Sequence, residues 1–318
     1  KKGIHILKYS ASLGNFAAEF TVMPNEVPFN LELDSYAMGE SFFAVSGKTN
    51  SSKRCLLYYT RQSSSDWDVT YSKCVDGDVF ATSLAASESI LAVGFKGEKV
   101  ELVDARTNVI LWSSNYVISA PANLETGNEG LGGFAAVLYF EGVFLAVGAP
   151  SVKNDVHAGS HHGRAYIYNV SSANDVLGPF ELHVPSELIT ISTDSEEGSS
   201  IGVQFGASFF VSEMLTTTSI PGIFVGVGAP GANGVVLYYL EDQYFSSQSP
   251  NSMFLIKSTQ FLQGFRLKLD HDTGDAVSWD IHGERMFVGA PKADNYDQYR
   301  GRITRYGADG RLYVVTIC

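Results

Sequence analysis

Hydrophobic residues along this chain come in short runs, each stopped within a few residues by Gly, Asn, Asp or Ser. Runs of that kind predict β-strands; no stretch sustains the three- and four-residue apolar spacing of an amphipathic helix. One phrase returns through the sequence. It reads FLAVGAP at 144–150, IFVGVGAP at 223–230 and MFVGAP at 286–291, with weaker copies FFAVSG at 42–47 and ILAVG at 90–94. Val45, Val93, Val147, Val227 and Val288 hold the same place in the five copies. Recurrence at roughly 50–60 residues is the mark of a repeated supersecondary unit, such as a propeller blade.

The strands expected around each copy group in fours. The first group is 29–37, 42–47, 55–60 and 66–73; the second is 80–85, 90–94, 99–104 and 108–119. The third is 133–140, 143–148, 164–169 and 187–192, and the fourth is 205–212, 222–228, 235–240 and 263–269. The fifth is 275–281, 286–290, 302–306 and 311–317, and two further strands lead the chain at 3–8 and 17–23. Four strands joined in sequence order make an antiparallel meander, and meanders arranged radially make a β-propeller. The expected fold is therefore all-β: a single propeller domain over 1–318, of six or seven four-stranded blades. Five blades are readable as complete, at about 29–74, 75–119, 120–192, 193–269 and 270–318, with a partial one at 1–28. A β-sandwich with accidental repetition is the alternative.

In the phrase itself, the β-branched residues should fill one face of the blade. The Ala and Gly positions should let a neighbouring blade come close on the other. The Pro of the stronger copies has no backbone donor and ends the strand.

Composition permits a large core, at 45% hydrophobic with 31 Gly, 20 Phe and 16 Tyr in 318 residues. A net charge of −12 argues against nucleic acid, which needs a basic patch, and against attraction to an anionic membrane. No apolar stretch is long enough to span a bilayer. The chain opens Lys-Lys without Met and shows no signal peptide, as expected of a processed protein or a fragment.

The cysteines are Cys55, Cys74 and Cys318. If 55–62 and 67–74 form a hairpin, Cys55 and Cys74 stand opposite one another, where a disulfide can form in an oxidising compartment. Two buried free thiols are the alternative. Cys318 would then be left to pair outside the chain. Two N-glycosylation sequons begin at Asn50 and Asn169.

The fuller repeat includes GGFAAVLYFEGVFLAVGAP at 132–150, IGVQFGASFFVSE with IFVGVGAP at 201–230, and LDHDTGDAVSWDIHGERMFVGAP at 269–291. After the phrase come a loop, a Gly and a strand such as GRAYIY, GVVLYY or GRITRY. This resembles the FG-GAP repeat, the blade unit of integrin α-subunit propellers and of many secreted and surface proteins. The resemblance spans nearly the whole chain and implies an extracellular or cell-surface location. It also implies that the loop between the second and third strands is on the ligand-facing side. Integrin-type repeats often carry a calcium loop just before the phrase. Here the corresponding hairpins, at 38–40, 87–89, 140–142 and 281–284, lack the necessary carboxylates, so that calcium site is not carried over.

Three constellations remain as candidates. Asp270, Asp272 and Asp275 place carboxylates closely enough for a calcium ion, although Asp and Gly also build ordinary turns. Asp155, His157, His161 and His162 form a cluster of the zinc- or copper-binding type, or a ligand-contacting loop. Asp294, Tyr296, Asp297, Tyr299 and Arg300 combine aromatic and charged groups, as recognition surfaces do. No nucleophile elbow, zincin motif or phosphate-cradling loop is present.

The expected function is a non-enzymatic extracellular module for recognition, adhesion or assembly, presenting loops to a protein partner or a neighbouring subunit without a required cofactor. A lectin-like propeller that binds glycans is the second reading. A glycan-processing enzyme is the third, and it requires two carboxylates facing each other about 5–10 Å apart.

Overall fold

The computed structural model describes residues 4–10, 15–22, 32–63, 67–105, 116–121, 133–152, 163–185, 203–212, 222–230, 234–242, 254–263, 276–279, 285–290 and 311–316. The described elements are all strands, in sheets whose neighbours run antiparallel and follow sequence order. This is the all-β architecture of four-stranded propeller blades.

The leading strands β1 (Ile4–Ser10) and β2 (Asn15–Val22) pair with one another. The first blade is β3 (Glu32–Met38), β4 (Phe42–Lys48), β5 (Lys53–Arg61) and β6 (Trp67–Asp76). The second is β7 (Ser83–Ala86), β8 (Ile90–Phe95), β9 (Lys99–Asp104) and β10 (Tyr116–Ser119). The third is β11 (Val137–Glu141), β12 (Phe144–Ala149), β13 (Arg164–Ser172) and β14 (Asp175–Leu182). The fourth is β15 (Phe209–Val211), β16 (Gly222–Ala229), β17 (Gly234–Asp242) and β18 (Phe254–Gln263). The fifth shows β19 (Ala276–Trp279), β20 (Arg285–Ala290) and β21 (Arg311–Thr316).

Three outer strands differ from expectation. In the third blade the fourth strand is β14, and the expected strand at 187–192 is outside the described residues. Gly178 and Pro179, joined by a cis peptide, disguise β14 as a turn; the outer edge of a sheet tolerates a proline that its interior would not. In the fourth blade β18 pairs along β17 well before the expected 263–269. In the fifth, β21 pairs directly with β20, as Ala290 with Arg311 through Arg285 with Thr316. It therefore takes the third-strand place assigned from sequence to 302–306, which is outside the described residues. Alternating Leu312, Val314 and Thr316 suit a strand better than the two arginines of RITRY.

The chain forms two compact units, Lys1–Ser119 with Ser172–Asn174, and Ala120–Ser171 with Asp175–Cys318. In the first unit β7 lies against β3 and β4. In the second, β15 lies against β11 and β12, and β19 against β15 and β16. Thus at these three joints, each within one unit, the first strand of a blade packs on the first two strands of the blade before it.

The phrase explains why. Successive strand residues point to opposite faces. Val93 and Leu91 enter one core with Ala44, Leu56 and Tyr58 of the preceding blade. Val225 and Val227 enter another with Ala146, Ala165 and Ile167 of theirs. In the second and fourth blades, the valine of the phrase thus shares a core with the alanine of the preceding blade's phrase. A fully buried Val or Leu side chain contributes about 1.5–3 kcal/mol, so these joints carry much of the cohesion of each unit.

A second repeated device stands ahead of the first strand. Phe80, Phe134 and Phe205 are buried, and each precedes a small residue in the left-handed region: Ala81 (φ 49°), Ala135 (φ 60°) and Gly206 (φ 91°). Gly206 meets the preceding blade at very close range. A Cβ on Gly148 would stand 2.1 Å from the Gly206 carbonyl oxygen, and one on Gly206 would stand 2.5 Å from that of Arg164. Only hydrogen fits at either position.

Candidate functional site

The edge from which the second-to-third-strand loops leave is built alike in four blades. Gly47 pairs with Cys55, Gly94 with Val100, Gly148 with Ala165 and Gly228 with Val235. The next position outward, which opens the third strand, is Arg54, Lys99, Arg164 or Gly234. The turn over this edge is tight in the first two blades, across Thr49–Ser52 and Lys96–Glu98. In the third blade the connection runs from Pro150 to Gly163.

Arg54, Lys99 and Arg164 each meet a carboxylate. Arg54 Nη2 reaches Asp34 Oδ2 at 2.7 Å, and its Nε donates to the Phe80 carbonyl of the second blade at 2.9 Å. Lys99 Nζ meets Glu101 at 2.8 Å and lies 4.6 Å from the centre of the Phe95 ring. Arg164 Nη1 reaches Glu181 on β14 at 3.3 Å, with the Tyr166 hydroxyl against the same guanidinium. Around Arg54 the surface is more strongly paired still. Lys48 meets the exposed Asp78 at 2.7 Å, and this bond holds the Asp78 carboxyl below its usual range. Burial, together with the neighbouring charge of Arg54, pushes the Lys96 ammonium down.

Tyr58, Tyr139 and Tyr238 are structural donors. Burial drives Tyr58, Tyr139 and Tyr238 well above the ordinary phenol value, and lifts Tyr166 to about 12 with the help of Glu181. They stay protonated at physiological pH and donate: Tyr238 to the His183 carbonyl at 2.7 Å, Tyr58 to that of Ala105 at 3.5 Å, and Tyr139 to Glu141 at 3.3 Å.

The disulfide expectation holds. Cys55 and Cys74 are directly opposed in β5 and β6 and are bonded, with Cα atoms 4.1 Å apart. The simple hairpin register persists as far as Tyr58 opposite Tyr71 and then shifts by a bulge. Thr70 is the extra residue, and its hydroxyl donates to the Tyr58 carbonyl.

Asp155, His157, His161 and His162 belong to the connection between β12 and β13 and lie outside the described residues. So do Asp294, Tyr296, Asp297, Tyr299 and Arg300, between β20 and β21, and Asp270, Asp272 and Asp275, between β18 and β19. Among the described residues, no group of three or more His, Cys, Asp or Glu side chains is placed to hold a metal ion. Among the described residues, no helix is long and apolar enough to cross a membrane. Of the sequons, Asn50 is exposed in the turn after β4, whereas Asn169 is within β13, opposite Phe144.

The edge cations went unread in the sequence, although the signal was there: KRC and GRA both precede a strand that follows the phrase. The Phe-Ala pairs were likewise legible. Phe80 and Phe134 stand at the same distance ahead of Val93 and Val147.

No protein-family model matches the chain, and no curated protein matches it. Among solved structures, the crystal structure of Saccharomyces cerevisiae Sqt1 aligns over 89% of this chain and 75% of that one. The identity is 10% and the TM-score 0.43.

Proposed function

We propose that the chain is a non-enzymatic extracellular recognition module. Its FG-GAP-type blades hold the loops between their second and third strands for a protein partner, and the contact is made chiefly through 150–163 and 291–310. The observation that carries this reading is the constant register beneath those loops. The same glycine pairing recurs whether the connection is the tight turn at Thr49–Ser52 or the longer stretch ending at Gly163. A scaffold that keeps its pairing while its loops vary is suited to recognition.

The FG-GAP assignment draws on the seating of Phe205-Gly206 against Gly148 of the preceding phrase. The extracellular assignment draws on the Cys55–Cys74 bond, since disulfides persist where the environment is oxidising. An overall charge of −12 favours a basic or neutral partner, with steering that weakens as salt rises.

The test is a binding screen of the oxidised chain against extracellular protein domains, run beside a glycan array. A protein ligand is expected, and Tyr299→Ala with Arg300→Ala should weaken it about tenfold or more, as loss of a recognition anchor does. An array hit displaced by free sugar, without any protein ligand, would replace this reading with the lectin one.

A further inference from the structure

We propose that Asn50 is the N-glycan acceptor of this chain and that Asn169, despite an equally good sequon, is not. The proposal rests on the extracellular reading above and discriminates between two sites that the sequence leaves equivalent.

The reaction needs a flexible, accessible Asn-x-Ser segment, and a fold that tolerates the sugar afterwards. In it, the Asn side-chain nitrogen bonds to the anomeric carbon of a lipid-diphosphate-linked oligosaccharide supplied by a transferase. The bond from that carbon to the phosphate oxygen breaks, the lipid diphosphate leaves with the electron pair, and the amide proton is lost to solvent. Ser52 or Ser171 is the hydroxyl residue of the respective sequon.

Asn50 satisfies both needs. It is exposed, as are Ser51, Ser52 and Lys53 after it. The turn is closed without the Asn50 side chain: the Ser52 amide donates to the Thr49 carbonyl at 3.0 Å, and the Lys53 amide to Thr49 Oγ1 at 3.1 Å. A sugar on Asn50 therefore displaces no bond of the hairpin.

Asn169 is half-buried and held in the β13 ladder, so it meets both needs less well. Its neighbours Tyr168 and Val170 are buried, and it pairs with the buried Phe144. By strand alternation its side chain shares a face with Ala165 and Ile167, which enter the core formed with the fourth blade. A glycan there would leave the third blade on the face that its neighbour covers. The sequon serine is also engaged, since Ser171 Oγ bonds the Asp175 carboxylate across the β13–β14 turn.

One consequence concerns recognition. Thr49–Ser52 is the first blade's counterpart of the loops proposed to touch a partner. A glycan on Asn50 would shield that turn and leave contact to other connections.

The experiment uses the protein from its native source. Peptide mass spectrometry after enzymatic deglycosylation in heavy-oxygen water marks an occupied Asn by its conversion to labelled Asp. Non-reducing peptide mapping of the same sample reports the Cys55–Cys74 bond. Labelled Asp at position 50, with unmodified Asn169 and an intact disulfide, is the expected result, and Asn50→Gln should remove all N-linked sugar without shifting the melting temperature. An intact disulfide with Asn50 bare, or with Asn169 occupied, overturns the glycan proposal and leaves the extracellular reading standing. Free thiols at Cys55 and Cys74 in a protein retained inside the cell overturn both.

Discussion

The joint between the first and second blades and the joint between the third and fourth solve one problem differently. Both bury a Phe and turn the chain through a left-handed residue before the new blade begins. In the second unit the contact is backbone on backbone, with Gly148 against the Gly206 carbonyl and Gly206 against that of Arg164. In the first unit the left-handed residue is Ala81, and a side chain spans the joint: Arg54 donates to the Phe80 carbonyl while paired to Asp34. Arg164 holds the same place as Arg54 yet pairs with Glu181 on the outer strand of its own blade. The lesson is that one repeat position can serve a joint between blades or a brace within one. The choice follows how near the next backbone comes.

The largest test of this contrast is Phe205→Ala. It removes a fully buried ring from the second joint, and about 3–5 kcal/mol should be lost in denaturant unfolding. A loss below 1 kcal/mol would mean that the joint is not cohesive.

The first unit has a staple of its own. Reducing Cys55–Cys74, or replacing both residues with Ser, should cost about 3 kcal/mol for a loop of this length. A melt that responds equally in protein with and without reductant would contradict this.

Exchanging the left-handed residues sharpens the difference further. Gly206→Ala should cost about 1–3 kcal/mol through overpacking. Ala81→Gly should change stability by no more than about 0.5 kcal/mol, because relief at φ 49° offsets the greater freedom of the unfolded chain. Equal effects at the two positions would erase the distinction.

For the arginines, Arg54→Ala should destabilise more than Arg164→Ala, by about 1 kcal/mol, because it also strips the Phe80 carbonyl of its donor. Urea titrations of the two variants decide the order.

The smallest effect near neutral pH lies at Tyr166. Its pKa is about 12 in the folded protein against about 10 for an ordinary phenol. The unfolded chain therefore gives up this proton first. The contribution is whole below pH 10 and is lost as pH rises through about 12. Tyr166→Phe should flatten alkaline unfolding across that window.

Much of the fold was legible because repetition is legible. The phrase marked the second strand of every blade, and strand alternation told which face its Val and Ala would take, as Val93 with Ala44 and Val227 with Ala146 bear out. The cysteine pairing followed from hairpin register alone. The outer strands were harder because they bury little: β14 is half-exposed along most of its length and carries Gly-Pro, so its pattern reads as a turn. The candidate ligand loops are composed of residues whose arrangement no periodicity dictates, and their chemistry rests on composition. The edge cations are only half legible: KRC and GRA recur ahead of a strand, but whether each Arg is solvated or paired follows only once its neighbours are placed.

The constant glycine register beneath edges of different length has a practical meaning. A peptide spliced between Gly97 and Glu98 would start and finish on strands already locked by Phe95 with Lys99 and Gly94 with Val100. The second blade thus offers a site for display, where a foreign segment can be carried without renegotiating the fold.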